Sequence, residues 1–265
     1  MKKNIILICL FIASVAYSQN SVIVPKKGKV TFGRQESITD ELQYKESVKA
    51  FLSEATKSVV REKEDMDEPI DSSKVESVLK MLNDQSTLDF LVSEFMKIED
   101  DMSVKFHHIY SDETIYEYVS SFDFPTKDYY LVINTKSSLI KSIDNDSITV
   151  LAENKPYEYS KDEIIRVEEF RNETKEIYGF KCFKVILEFK SGQDINEDED
   201  FISLMNSKKQ TKELWVTESI KSLYHPVLKY KAVLEKYYPL EVSEFSEVMN
   251  GHKIVYTITE FDLNR

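Results

Sequence analysis

The sequence predicts an α+β protein: an antiparallel β-sheet fills most of the chain, and a two- or three-helix insert interrupts it near the N-terminus. Three observations carry this. From residue 103 onward, short β-prone segments follow one another with turn residues between them. That spacing makes consecutive segments antiparallel neighbours in a meander or curved sheet. Between residues 39 and 101 the apolar residues instead recur at helical spacing. The third is the stretch Thr174–Thr217, where two strongly β-prone segments flank a polar, acidic loop and predict a long antiparallel hairpin.

Taken in order, the chain opens with Met1-Lys2-Lys3, a short basic head, followed by an apolar run from Ile5 to Val15 broken only by Ser14. Ala16-Tyr17-Ser18 then places small residues where a signal peptidase needs them. Residues 1–18 are thus predicted to be a signal peptide, and the mature chain, starting near Gln19, a single β-rich domain over 19–265. The apolar run is shorter than the roughly 20 residues of a membrane span, which sets aside an uncleaved anchor. The expected location is across the inner membrane, in the periplasm or beyond. Cleavage removes Cys9 and leaves Cys182 as the sole cysteine, so no intramolecular disulfide is expected.

Gly28 to Glu36 alternates as a first strand. Thr39 to Arg61 carries a helical stripe of Leu42, Val48, Phe51, Leu52, Ala55, Val59 and Val60, with Asp40 and Gln43 placed as a capping box. A second helix is expected from Ser73, bearing Val75, Val78, Leu79 and Leu82, and a third from Ser86, bearing Leu88, Leu91, Val92, Phe95 and Met96. Strands are expected over 103–110, 114–120, 129–135, 139–143, 147–152, 156–159 and 164–170, with turn chemistry such as Asp144-Asn145-Asp146 between them. In the central stretch, alternation puts Phe180, Cys182, Lys184, Ile186 and Glu188 on one face. Phe183, Val185, Leu187 and Phe189 fall on the other, which reads as buried. Pro239 to Ser243 and Lys253 to Phe261 complete the sheet, and Asn250-Gly251 between extended segments reads as a hairpin turn.

The formal net charge of −12 repels phosphate backbones and sets nucleic acid aside as a partner. Anionic lipid is disfavoured for the helices, whose polar faces are rich in Asp and Glu. No G-x-S-x-G elbow, H-E-x-x-H, glycine-rich phosphate loop or C-x-x-C is present, so no catalytic residue, cofactor or metal ligand is assigned. His107 and His108 are adjacent on a strand and point to opposite faces, a poor chelating pair, while His225 and His252 stand alone. Asp194, Asn196 and Asp198 begin like a calcium loop, but Glu199 stands where glycine must turn and Met205 where a bidentate carboxylate is needed.

Thr174-Lys-Glu-Ile-Tyr-Gly-Phe-Lys-Cys-Phe-Lys-Val resembles the Gly-Tyr-x-Cys strand of the GLPGLI family and its DUF4412-like relatives, a group of secreted proteins. Gly28-Lys-Val-Thr-Phe is similar to the family's opening strand, and Lys212-Glu-Leu-Trp-Val-Thr-Glu-Ser-Ile to its tryptophan strand. Tyr238-Pro239-Leu240 stands where the family carries Gly-Leu-Pro-Gly-Leu-Ile, and His225-Pro226 where it carries Gly-Pro. The signature hexapeptide itself is not retained, and the helical insert has no counterpart in the family. The resemblance covers mainly residues 165 to 262 and marks Gly179, Cys182, Trp215 and Pro239 as structural keystones. It implies a curved, half-barrel-like sheet similar to that of periplasmic lipoprotein carriers, and no activity.

The residues therefore lead to a non-catalytic binding or envelope-associated module that holds an apolar ligand or a peptide in a curved sheet. Two alternatives stay open: an envelope protein–protein interaction module that uses the helical insert, and a metal-dependent hydrolase built from two converging histidines and a carboxylate. A carrier requires a deep apolar pocket under the insert, and an interaction module requires apolar side chains exposed on it.

Overall fold

The computed structural model describes residues 22–65, 72–101, 104–121, 129–144, 149–192 and 209–264. Residues 1–18, expected to be a signal peptide, the expected turn residues Asn145 and Asp146, and residues 194–200 lie outside them. Eleven described strands form one antiparallel sheet: β1 (Lys27–Ile38), β2 (Lys105–Ser111), β3 (Thr114–Ser120), β4 (Tyr129–Asn134), β5 (Leu139–Asp144), β6 (Thr149–Pro156), β7 (Glu163–Ile177), β8 (Phe180–Lys190), β9 (Gln210–Thr217), β10 (Tyr238–Ser246) and β11 (His252–Asn264). Between β1 and β2 lie α1 (Glu41–Asp65), α2 (Ser72–Met81) and α3 (Gln85–Asp101), the expected insert; a one-turn helix α4 (Lys231–Leu234) precedes β10.

The spatial order is β6-β5-β4-β3-β2-β1-β11-β10-β9-β8-β7. Two meanders, β2–β6 and β7–β10, are thus joined at the middle by the first and last strands, paired from Lys27↔Asn264 to Ile38↔His252. Chain geometry requires the sheet to curve. Laid flat, eleven strands about 4.8 Å apart would separate β6 from β7 by about 48 Å. Yet only residues 157–162 join Pro156 to Glu163, and such a segment reaches about 25 Å at full extension.

The hollow of that curve is filled by the chain itself. After β9, residues 218–237 cross the inner face before returning as β10, burying Ile220, Tyr224, His225, Leu228, Tyr230, Val233, Leu234 and Tyr237. This plug touches both meanders and the crossing between them: Lys229 reaches Glu117 of β3 at 3.2 Å, Tyr224 packs on Tyr157 of the crossing (ring centroids 5.0 Å), and on β8 Tyr237 packs on Phe183 (5.3 Å) and Tyr230 on Phe189 (5.2 Å). As alternation predicts, Phe183, Val185, Leu187 and Phe189 are all buried, here with Leu214, Val216 and Val242 under the plug.

Five local expectations are corrected. The stretch Thr174–Phe189 is broken at Tyr178-Gly179, whose φ values of 50° and 77° are those of a two-residue type I′ turn, so it supplies the end of β7 as well as β8. Asn250-Gly251 instead closes a five-residue connection, 247–251. The separate strands expected over 147–152 and 156–159 are one strand, β6, and a crossing. In α1, Leu42 points outward at 68% exposure while Tyr44 is buried, and α3 is capped by Asp84 rather than opened by Ser86: Thr87 N–H donates to Asp84 Oδ2 at 2.9 Å.

Candidate functional site

Three places concentrate polar chemistry or open space. The first lies on the inner face, where β2 and β3 meet the plug. The register pairs His108 with Glu117, and His108 Nε2–H donates to Glu117 Oε2 at 2.7 Å while Lys229 Nζ of the plug reaches Glu117 Oε1 at 3.2 Å. Burial alone would raise the Glu117 carboxyl, but the His108 bond and the Lys229 charge outweigh it and hold it low. Beside this triad His225 is fully buried between Phe32 and Tyr238, its ring centroid 4.7 and 4.8 Å from theirs. Its Nε2–H donates to Pro239 O at 3.0 Å, and its Nδ1 accepts from Val227 N–H and Leu228 N–H at 3.1 and 2.9 Å. Both ring nitrogens are committed to backbone, so His225 is a strut and cannot ligate a metal. Burial pushes its pKa down to about 3.

The second place is the outer face. Thr31 Oγ1–H donates to Glu260 Oε2 at 3.2 Å. That hydroxyl has spent its proton, so in the 3.0 Å contact with His107 it must accept from Nδ1–H. Nε2 is then left to accept from Ser120 O–H at 2.8 Å. This Ser–His–Thr–Glu relay has the connectivity of an activated nucleophile. Its serine, however, ends an ordinary strand opposite Lys105, not a turn that aims backbone N–H groups at a substrate oxygen. The relay is a cross-strand ladder binding β3, β2, β1 and β11.

The four histidines thus occupy three settings: His107 outside, His108 and His225 inside, and His252 at the foot of the insert. Among the described residues no three His, Cys, Asp or Glu side chains could hold a metal ion. The keystone residues gather elsewhere. Gly179 makes the β7–β8 turn, and Pro239 stands next to the register shift in β10, where a ladder tolerates proline. Cys182 is fully buried, and burial pushes its thiol up to about 12. Trp215 lies under Lys175 Nζ, 4.4 Å from the ring, and the same ammonium bonds both oxygens of Glu241 at 2.8 Å. This is packing around an inert thiol.

The third place is the joint between insert and sheet. Gly251 O accepts from Thr39 N–H at 2.7 Å and Asp40 N–H at 3.3 Å, and Asn250 N–H donates to Ser47 Oγ at 3.1 Å. Half of the expected capping box forms, with Gln43 N–H donating to Asp40 Oδ1 at 3.0 Å. Asp40 N–H is taken by Gly251 instead. Tyr44 stacks on His252 at 5.4 Å, and His252 Nε2 lies 2.9 Å from Glu36 Oε2. Beside this clamp a recess of about 740 Å³ opens between α1 and the 247–250 turn, with Ala50, Phe51 and Val248 on its walls and Glu46, Glu54 and Glu247 around them. Further out, the insert exposes Leu42, Val78, Met81, Phe90 and Leu91. Sequence reasoning missed the recess because its α1 wall reads as a solvated helix face, and nothing in the sequence ties that face to a turn about 200 residues away.

No family model matches the chain, and no curated protein matches it. A solved structure, the crystal structure of the Mycobacterium tuberculosis lipoprotein LppX, superposes over 90% of this chain and 90% of its own at 6% identity, with a TM-score of 0.30. At that score the likeness carries no argument about function. No helix among the described residues is long and apolar enough to cross a membrane.

Proposed function

We propose that this chain is a secreted, non-catalytic binding module of the cell envelope, a divergent relative of the GLPGLI group, and that it binds its partner at the joint between insert and sheet. One observation carries the choice of surface. The hollow of the sheet, where an apolar ligand would sit, is filled by residues 218–237, whereas the recess beside Gly251 is open and flanked by an insert with exposed apolar side chains. The basic head and apolar run of residues 1–15 support export, and the Gly179/Cys182 and Trp215 strands support the family reading.

Site-specific photocrosslinking in the cells that make the protein tests this. A photoreactive residue at Ala50 is expected to give discrete protein adducts, and one at Ile165, 46% exposed on β7, is expected to give none. Native mass spectrometry of the same preparation should show no stoichiometric lipid. A bound lipid together with a silent Ala50 position would overturn the reading in favour of an apolar ligand held inside the sheet.

A further inference from the structure

The walls of the recess say what kind of partner it fits. On α1, Glu46 and Glu54 lie eight residues apart, about 12 Å along the helix axis, with Ala50 and Phe51 between them; Glu247 and Val248 face them from the β10–β11 connection. Among the described residues no lysine or arginine lines the recess. Two of its carboxylates meet lysines at the surface. Lys57 meets Glu54 at 3.3 Å one turn along the same helix, and Lys209 stands 3.9 Å from Glu247. Such pairs are worth about 0–1 kcal/mol and exchange readily for another cation. The floor is fixed by the Gly251 and Asn250 bonds to α1, so the recess keeps its shape without an occupant.

We infer that this recess docks an extended segment of a partner protein in which two basic side chains flank an aliphatic one. The inference rests on the binding surface proposed above and adds its chemistry. In an extended strand residues i, i+2 and i+4 share one face, and i to i+4 spans about 13 Å. A Lys-x-Leu-x-Lys segment therefore brings its cations to Glu46 and Glu54 while the leucine settles on Ala50 and Phe51. Glu247, on the facing wall, adds to the negative field along the path.

The probe is the capped peptide Lys-Ser-Leu-Ser-Lys, titrated into the isotope-labelled mature protein and followed by NMR. The Ala50 and Asn250 amides are expected to shift saturably, and binding should weaken at least about tenfold in E46K, in E247K and at about 0.5 M salt. Glu46 is exposed, so E46K should keep its melting temperature. The same peptide with both lysines replaced by glutamine should bind at least about tenfold more weakly. If the glutamine peptide shifts the same amides with equal affinity, the basic requirement is wrong while the binding surface stands. If neither peptide shifts them, the inference fails, and the Ala50 crosslink then decides separately whether the surface fails with it. Shifts confined to another face of the molecule overturn the inference as well.

Discussion

His225 holds the plug in place by taking two backbone N–H groups at Nδ1 and giving its single proton to Pro239 O. A second proton has nowhere to go: it would stand against both donors, in a fully buried setting that also contains His108 and Glu117. The folded state therefore keeps His225 neutral down to about 3, whereas the unfolded chain protonates it near 6.5. Because the folded pKa is the lower one, this stability is present above pH 6.5 and is lost as pH falls from there toward 3. Linkage puts the loss between pH 7 and pH 5 at about 2 kcal/mol, before most carboxylates titrate. Urea unfolding across that range should show this slope. H225N, whose side chain can still accept the Val227 and Leu228 N–H groups, should be less stable at pH 7 and show a clearly smaller slope from pH 7 to 5, the remainder belonging to His252, whose pKa burial also lowers. An equal slope in the variant would place the titration elsewhere. In the sequence this residue is an isolated histidine before a proline, and the hydrogen bonds that define it form only once the plug has folded back onto β10.

Two glycines show how an element's setting decides what a turn residue does. Gly179 and Gly251 both take positive φ, 77° and 82°, so alanine at either costs about 1–3 kcal/mol of backbone strain. Around Gly179 a Cβ meets nothing within 4 Å; at Gly251 it would lie 2.2 Å from Asp40 O and 3.0 Å from Tyr44 N, on the backbone of the insert. G251A should therefore lower the melting temperature more than G179A, and hydrogen exchange should speed up across α1 while β7–β9 stay protected. Equal effects of the two substitutions would mean that the turn does not clamp the helix. The strands were legible in the sequence because burial on one face leaves a period of two, as in Phe183 to Phe189, and the insert because its period differs. What escaped is what breaks those periods. Tyr178 occupies a left-handed position that usually signals itself with Asn or Asp, so β7 and β8 read as one segment. Asn250-Gly251 carries the hairpin signal but spends it on a longer connection that receives a helix.

Across the whole molecule, the first and last strands pair at the centre, and one internal segment braces both meanders from within. Lys229 reaches Glu117 of β3 at 3.2 Å, Tyr224 O–H bonds Ser138 Oγ at 3.0 Å beyond β4, and Ser160 N–H, on the crossing between the two edges, donates to Lys229 O at 2.8 Å. The same segment packs Leu228, Val233 and Leu234 against β8 and β9. None of this shows as periodicity, because a strand of chain wrapped inside a curved sheet is contacted from several directions and alternates with nothing. Leu228 offers a clean test, since it is 1% exposed and belongs only to the packing on the β8–β9 side. L228A should cost about 2–5 kcal/mol for the cavity it leaves. If the plug is the brace between the halves, hydrogen exchange should then rise together in β2–β5, whose buried apolar residues belong to a separate cluster, and in β8–β10. Loss of protection confined to β8–β10 would show that the N-terminal meander stands without the plug. The hollow could then open on that side, and an apolar ligand inside the sheet would become the stronger reading of the fold.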